Sequence, residues 1–234
     1  MPNNLKAILF DVFGTVVDWR SSIAREVEAV SQLNQVDGEL FADRWRSKYQ
    51  PSMERIRSGN RPFVKLDDLH YENLNEVLVD FGVDALDETI KQHLNRAWHR
   101  LNPWADSVEG LRRLKTIYII ATLSNGNVAL SVNMARNAGL PWDMVLGAEV
   151  VGHYKPQPES YLKSAAMLGL EPGQCMLVAA HNSDLIAAAK CGYNTAFVPR
   201  PTEYGPNQTT DLEPTAQYTV VATDFIDLAA QLGC

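Results

Sequence analysis

Cysteine, basic charge and long apolar runs are all scarce in this chain of 234 residues. Its three cysteines, Cys175, Cys191 and Cys234, are odd in number and lack metal-ligand spacing, which favours a reducing compartment over a disulfide framework. With 21 Lys and Arg against 28 Asp and Glu, the net charge is −7, which argues against a nucleic-acid-binding protein. No apolar run reaches the roughly 18 residues of a transmembrane helix, and residues 1–4 lack the pattern of a signal peptide. These absences predict a cytoplasmic protein without membrane or nucleic-acid partners.

What the chain does contain is a series of apolar runs separated by helical patterns. With 46% hydrophobic residues it can bury a sizeable core, as one large domain or as a domain with an insert. The first run ends at Asp11, and four later segments read as buried strands: 116–123, 175–180, 195–198 and 218–221. Helical patterns over 108–114 and 158–168 separate several of them. Strands that alternate with helices predict an α/β fold with a parallel sheet.

Residues 18–100 differ from the rest, because they show helical periodicity and no convincing strand. Apolar residues recur three and four positions apart, for example at Ile23, Val27 and Val30. The segment is therefore predicted to be a helical insert after the first strand, which either covers an active site or packs away from it. Residues 199–214, rich in proline, threonine and asparagine, predict a long surface loop.

Four short segments are the candidates for chemistry: residues 11–15, 123–127, 154–156 and 181–184. The third precedes a helical pattern and the others directly follow apolar runs. In open α/β sheets, ligands bind at the carboxyl ends of the strands. Each segment alone also fits an ordinary turn or a helix start. Their joint appearance in this order is far more specific and predicts one active site.

In these four motifs the chain resembles the haloacid dehalogenase superfamily, and more narrowly the (S)-2-haloacid dehalogenases, also called type II or L-2-haloacid dehalogenases. The resemblance spans almost the whole chain. It implies a Rossmann-like parallel-sheet core of residues 1–17 and 101–234, with an all-helical cap of residues 18–100. It also implies a haloacid substrate, no cofactor, no metal and a homodimer.

Phe13 favours a haloacid dehalogenase over a phosphatase of the same superfamily. Phosphatases of the superfamily carry a second aspartate there as general acid/base and bind Mg²⁺, whereas Phe13 cannot transfer protons. Asp11 and Asp184 alone are few oxygen ligands for Mg²⁺. A Mg-dependent phosphatase is thus one alternative, and a non-catalytic binding domain on the same fold is the other. The latter would tolerate the loss of Asp11, Lys155 or Asp184, yet all three are present.

The resemblance implies hydrolytic dehalogenation through a covalent aspartyl ester. The Asp11 carboxylate displaces halide from C2, and water then attacks the carboxyl carbon of the ester, which inverts C2 overall. Asp184, helped by Lys155, is expected to activate that water. Thr15 is expected to orient Asp11 or to stabilise the ester oxyanion.

Further roles complete the predicted site. The expected ligands of the substrate carboxylate are Ser124, Asn125 and Lys155. The expected halide ligands are Arg46 (with Arg44 as the alternative), Asn125 and His181. The expected supporting residues are Phe13, Tyr161 and Asn182, and Tyr161 fits a helix core position equally well.

Three departures from the usual dehalogenase pattern bear on specificity. Tyrosine is commoner at Phe13, serine and asparagine are usual where Ala179 and His181 stand, and an aromatic residue often replaces Ser183. His181 is expected to donate to halide or to Asp184, to titrate near neutral pH, or only to orient its loop. The combination of residues 11–15 with Ala-His resembles members that accept fluoroacetate, so cleavage of C–F bonds is a further hypothesis.

Overall fold

The structure is a computed structural model that describes residues 4–234. Residues 1–3 lie outside the described part. Two predictions concern them in part: the lack of a signal-peptide pattern in residues 1–4, and the start of the predicted core at residue 1. Among the described residues, no helix combines the length and the apolarity needed to cross a membrane.

The predicted α/β fold with a parallel sheet is confirmed. Within residues 4–234, five parallel strands lie in the order β4-β1-β5-β6-β7. Their bounds are β1 (Ala7–Phe10), β4 (Ile119–Thr122), β5 (Cys175–Ala179), β6 (Asn194–Phe197) and β7 (Val220–Val221). The strand predicted over 116–123 begins only at Ile119, because the amides of Thr116 and Tyr118 still bond to carbonyls of the preceding helix.

The sheet is buried on both faces, and this explains its continuous apolar runs. All four residues of β1 are buried. Ile8 and Phe10 join one apolar cluster, and Ala7 and Leu9 join another. Successive side chains of a strand point to opposite faces, so each face needs its own helical cover. That cover comes from α6 (Ser107–Leu114), α7 (Val128–Ala138), α8 (Ala148–Val151), α9 (Pro158–Met167), α10 (Asn182–Lys190) and α11 (Phe225–Gln231).

The predicted helical insert after β1 is also confirmed. It contains α1 (Trp19–Glu28), α2 (Gly38–Ser47), α3 (Tyr49–Arg57), α4 (Leu66–Asp80) and α5 (Glu88–Asn95), with 3₁₀ turns at Ser31–Leu33 and Arg96–His99. At the stem of the insert, β2 (Val17–Asp18) pairs antiparallel with β3 (Asn102–Pro103), so that Asp18 alone of the described residues 18–100 lies in a strand. Two-residue strands are too short to give a periodic signal. The domain boundaries at 17/18 and 100/101 remain predictions.

Candidate active site

The predicted polar residues meet at the carboxyl end of the sheet. Asp11 follows β1, and Lys155 lies in the loop before α9. Asp184 lies in the first turn of α10, which follows β5. The Lys155 ammonium donates to Asp11 Oδ1 at 2.8 Å and also to Asp184 Oδ2. The Tyr161 hydroxyl donates to Asp184 Oδ1 at 2.6 Å from α9. One buried cation therefore joins two carboxylates that are far apart in sequence.

The second oxygen of Asp11 receives two different donors. Thr15 Oγ1 donates to Asp11 Oδ2 at 2.7 Å and accepts from the backbone N–H of Ala180 at 2.9 Å. His181 Nδ1 lies 3.0 Å from the same Oδ2. Among the alternatives for His181, a bond to Asp184 is therefore not what the structure has, because the ring faces Asp11. Asp11 is fixed from both sides before any substrate binds.

These contacts keep Asp11 ionised although it is buried. Burial alone would raise its pKa, but the Lys155 ammonium and the His181 ring together outweigh burial and hold that pKa well below its usual range. Burial likewise opposes the charge on Lys155, and the two carboxylates overcome it and raise the pKa of the ammonium. The geometry thus presents an anionic carboxylate beside a cation at neutral pH.

The helical insert covers this site rather than packing away from it. A cavity of about 620 Å³ lies between the insert and the core. The core contributes Asp11, Phe13, Asn125, Lys155, His181 and Asp184, whereas α2 and α3 contribute Arg46, Tyr49, Gln50, Glu54 and Arg57. A covered cavity of this size accommodates a small organic acid and limits its exposure to water.

Arg46 and Arg44, the two candidates for the halide, lie in different environments. The Arg46 guanidinium lies 4.1 Å from the ring centre of Tyr49 and lines the cavity. Its Nη1 is buried and has no hydrogen-bond partner within residues 4–234. Arg44 instead pairs with Asp80 at 2.8 Å, and its side chain is 49% exposed. An unpaired buried donor at the cavity favours Arg46 as the anion ligand.

Three other predicted residues are tied to neighbouring groups by hydrogen bonds, and of these Asn125 is the one that lines the cavity within residues 4–234. Its Oδ1 accepts from the backbone N–H of Lys155 at 2.8 Å. Ser124 is buried beside it, with Oγ accepting from the N–H of Gly126 at 3.0 Å. Asn182 faces away and holds the loop of residues 199–214 through Asp211, at 2.8 Å. Asn182 is thus placed to support the site without touching a ligand.

Comparison with known proteins agrees with this architecture. Residues 5–192 match the haloacid dehalogenase-like hydrolase family. The chain belongs to this family.

Within this family, the chain is similar to haloacid dehalogenases in both sequence and structure. The chain is 29% identical to (S)-2-haloacid dehalogenase 4A of Burkholderia cepacia over 210 residues, which cover 87% of this chain and 88% of that protein. It shares 53% sequence identity with the defluorinating L-2-haloacid dehalogenase Rha0230. The crystal structure of that protein superposes with a TM-score of 0.96, covering 98% of this chain and 96% of that chain. For the L-2-haloacid dehalogenase PA0810 the identity is 47%, the TM-score 0.94 and the coverage 98% and 99%.

The haloacid dehalogenase-like hydrolase also has site residues that the sequence did not reveal. Residues 199–214 form a mostly exposed loop, as predicted, but Glu203 in this loop is only 1% exposed and contacts His181. Tyr204 and Asp211 of the same loop line the cavity. Arg200 anchors the loop by pairing with Asp106 at 2.7 Å. Proline-rich polar composition does not reveal which residues of a surface loop face the protein interior.

Proposed function

We propose that this protein is an (S)-2-haloacid dehalogenase that hydrolyses 2-haloalkanoic acids, among them haloacetates and 2-halopropionates, to 2-hydroxy acids. The observation that carries the proposal is the Lys155 ammonium placed between the Asp11 and Asp184 carboxylates in a covered cavity. The names of the relatives support the same substrate class. A non-catalytic role would leave this ionised, preorganised nucleophile without a purpose.

In the first half-reaction, the Asp11 carboxylate attacks C2 of the haloacid. The new C2–O bond forms as the C2–halogen bond breaks, and the halide leaves with the bonding electrons. Attack opposite to the leaving group inverts C2 and produces an ester on Asp11. The low pKa of Asp11 keeps its carboxylate ready as a nucleophile.

In the second half-reaction, water attacks the carboxyl carbon of that ester. Asp184 accepts a proton from the water, while Lys155 and Tyr161 hold the Asp184 carboxylate in place. Cleavage at the carboxyl carbon leaves C2 untouched, so an (S)-substrate gives an (R)-hydroxy acid. Phe13, which packs edge-on against Trp98 with ring centres 5.9 Å apart, keeps this side of the site apolar.

The remaining polar groups divide between the two ends of the substrate. The substrate carboxylate is assigned to Ser124, to Asn125 with its neighbouring backbone N–H groups, and to Lys155. The departing halide is assigned to Arg46, with Asn125 as a further donor. His181, the third halide ligand expected from the sequence, is not assigned to the halide, because both of its ring nitrogens face carboxylates. The unpaired Arg46 Nη1 supports this assignment, because an anion at that point satisfies a buried donor.

Fluoroacetate is included among the proposed substrates. The relative that is 53% identical is itself a defluorinating enzyme. Fluoride is small and accepts strong hydrogen bonds, so a pocket with several fixed donors favours its departure. Loss of chloride from chloroacetate without loss of fluoride from fluoroacetate would overturn this part of the proposal alone.

The test is halide release from (S)-2-chloropropionate, chloroacetate and fluoroacetate in the presence of EDTA, with Asp11→Asn as the matched variant. The proposal expects release by the native protein, an (R)-2-hydroxypropionate product and no release by Asp11→Asn. If no substrate loses halide, while phosphate esters are hydrolysed with Mg²⁺, the phosphatase alternative replaces the proposal.

Two further proposals concern the protein as a whole. A homodimer is expected from the family, and sedimentation velocity of the native protein checks it. A cytoplasmic location is supported by Cys175, Cys191 and Cys234, all of which are free thiols in the structure. Cell fractionation checks that location.

A further inference from the structure

Glu203 is a buried carboxylate that connects to the nucleophile through a single histidine. Its Oε2 lies 2.9 Å from His181 Nε2, and its Oε1 accepts from Trp19 Nε1 at 2.9 Å. His181 Nδ1 in turn lies 3.0 Å from Asp11 Oδ2. Asp11, His181 and Glu203 therefore form a continuous line of three groups. The family match ends at residue 192, before Glu203.

The charges around this line favour a protonated His181. Three buried carboxylates, Asp11, Asp184 and Glu203, surround the site. Of the cations in the cavity lining, Arg57 is paired with Glu54 at 2.8 Å, which leaves Lys155 and Arg46 to compensate these carboxylates. A neutral His181 leaves one negative charge uncompensated, and an anionic substrate adds another. Buried unpaired charge is costly, so a proton on His181 is favoured. Both ring nitrogens face carboxylate oxygens, and only the imidazolium donates to both.

The hydrogen bonds to Asp11 distinguish its two oxygens. A carboxylate oxygen has two lone pairs for hydrogen bonding. Within residues 4–234, Oδ2 accepts from Thr15 and faces His181, whereas Oδ1 accepts only from Lys155. Oδ1 therefore retains a free lone pair and is the oxygen that attacks C2. Oδ2 then becomes the carbonyl oxygen of the ester, with two donors already aimed at it.

We propose that Glu203 holds His181 as an imidazolium, whose Nδ1–H joins the Thr15 hydroxyl in stabilising Asp11 Oδ2 as an oxyanion during ester hydrolysis. This inference rests on the proposed dehalogenase function and deepens it. His181 is then a catalytic residue of the second half-reaction, and Glu203 is its positioning residue. The role differs from a direct contact of His181 with the halide.

The step balances as an ordinary ester hydrolysis. The water oxygen bonds to the carboxyl carbon of Asp11, and the carbonyl electrons move onto Oδ2. When the intermediate collapses, the bond from that carbon to Oδ1 breaks and Oδ1 leaves as the 2-oxygen of the product. One water proton passes through Asp184 to that oxygen, and the other leaves the new Asp11 carboxyl to solvent. Two preorganised donors at Oδ2 lower the barrier without reorganisation.

The direct test compares Glu203→Gln with Glu213→Gln, a matched change at an exposed glutamate of the same loop region. Rapid-quench halide release reports the first half-reaction, and intact-protein mass measures the Asp11 ester. In Glu203→Gln we expect a halide burst of about one per site, accumulation of the ester and a steady-state rate about a hundredfold lower. Glu213→Gln is expected to match the native protein. Equal slowing of the burst and of the steady state would overturn the proposal.

The pH dependence separates this role from a purely structural one. Burial would lower the pKa of His181, but Glu203 and Asp11 raise it well above its ordinary value. In Glu203→Gln that pKa falls, so ester hydrolysis should decline as pH rises from about 6 to 9 and recover toward acid, while the native rate stays flat over this range. The charged and titratable groups around the ring, besides Glu203, are Asp11, Lys155, Arg46, Tyr204 and Asp211.

A double-mutant cycle with His181→Asn provides the second discriminator. If Glu203 acts through His181, Glu203→Gln should change the ester hydrolysis rate by less than about threefold in the His181→Asn background. If the two substitutions instead have additive effects on the ester hydrolysis rate, Glu203 supports Trp19 and its own loop and does not act through His181. Thermal unfolding of each variant shows whether the fold is retained.

A measurement that does not depend on enzyme activity distinguishes failure of the dehalogenase proposal from failure of this inference. The ¹⁵N chemical shifts of His181 in the free native protein should show a doubly protonated ring at neutral pH, and a neutral ring would overturn the inference alone. If the ring is protonated but no haloacid loses halide, the proposed function fails and takes this inference with it. If halide is released while Glu203→Gln shows no accumulated ester, only the inference fails.

Discussion

The backbone of Gly14 passes so close to the Glu203 carboxylate that a Cβ at Gly14 would lie 2.0 Å from Glu203 Oε1. Gly14 also adopts a positive φ of 85°, a region that side chains disfavour. The turn after Asp11 therefore has two separate reasons for glycine. One is backbone geometry, and the other is room for the carboxylate that contacts His181.

Gly14→Ala and Gly59→Ala separate these two reasons. Gly59 has a φ of 78°, and no heavy atom lies within 4 Å of its Cβ position. Gly59→Ala should cost about 1–2 kcal/mol of unfolding free energy from backbone strain alone. Gly14→Ala should cost more than that and should also slow halide turnover at least about tenfold, because Glu203 is displaced. Urea unfolding and halide release measure both effects, and identical behaviour of the two variants would contradict the prediction.

Arg46→Lys and Arg44→Lys test which arginine binds the halide. A lysine at position 46 keeps a charge but loses the planar stacking on Tyr49 and the unpaired Nη1. We expect Arg46→Lys to lower kcat/KM for (S)-2-chloropropionate about a hundredfold. Arg44→Lys should remain within about twofold of the native value, since an exposed ion pair contributes little. The reverse ranking in steady-state halide assays would assign the halide site to Arg44.

Lys155→Met removes the cation that lies between Asp11 and Asp184. The pKa of Asp11 should rise, because the charge that lowers it most is removed, and halide release should fall below detection at neutral pH. Breaking a buried ion pair costs about 3–5 kcal/mol, so urea unfolding should show a clear loss of stability. Lys190→Met, at an exposed position, is the matched control and should change neither quantity. Retention of activity in Lys155→Met would contradict the assigned role.

The sheet and the first contacts of the site could be predicted from sequence because both are local patterns. Buried parallel strands appear as apolar runs, and the carboxyl ends of such strands converge, which brings Asp11, His181 and Asp184 together. The predicted strand ends were less accurate. The strand predicted from residue 116 begins at Ile119, because the turn that ends the preceding helix is part of the same apolar run.

Glu203 could not be predicted, because nothing local distinguishes a buried glutamate in a polar loop. Its place depends on long-range partners: His181 and Trp19 from other parts of the chain, and the gap left by Gly14. The preference for Arg46 over Arg44 came from the family resemblance and had no physical basis in the sequence, since two nearby arginines on α2 differ only in the direction that each faces. Which face meets the core follows from how α2 packs on α1 and α4.

The buried ring of His70 is expected to make the free energy of unfolding depend on pH. Its ring is 1% exposed and stacks on Trp98 with ring centres 4.3 Å apart. Within residues 4–234, neither ring nitrogen has a hydrogen-bond partner. Burial lowers the pKa of His70 to about 3, and the nearby Asp67 carboxylate only partly opposes this. The ring is therefore neutral in the folded protein.

Because the unfolded chain binds a proton on His70 near pH 6.5 and the folded chain only near pH 3, acid favours the unfolded state over that interval. The contribution of His70 to stability is complete above about pH 6.5 and is lost as pH falls toward 3, at about 1.4 kcal/mol per pH unit. His70→Phe keeps an aromatic ring on Trp98 without the titration, so its unfolding free energy should fall about 2 kcal/mol less than that of the native protein between about pH 6.5 and 5. His93→Gln, whose native side chain is 58% exposed, should follow the native curve. Urea unfolding across this range decides the matter, since parallel curves for the native protein and His70→Phe would mean that His70 is protonated in the folded state.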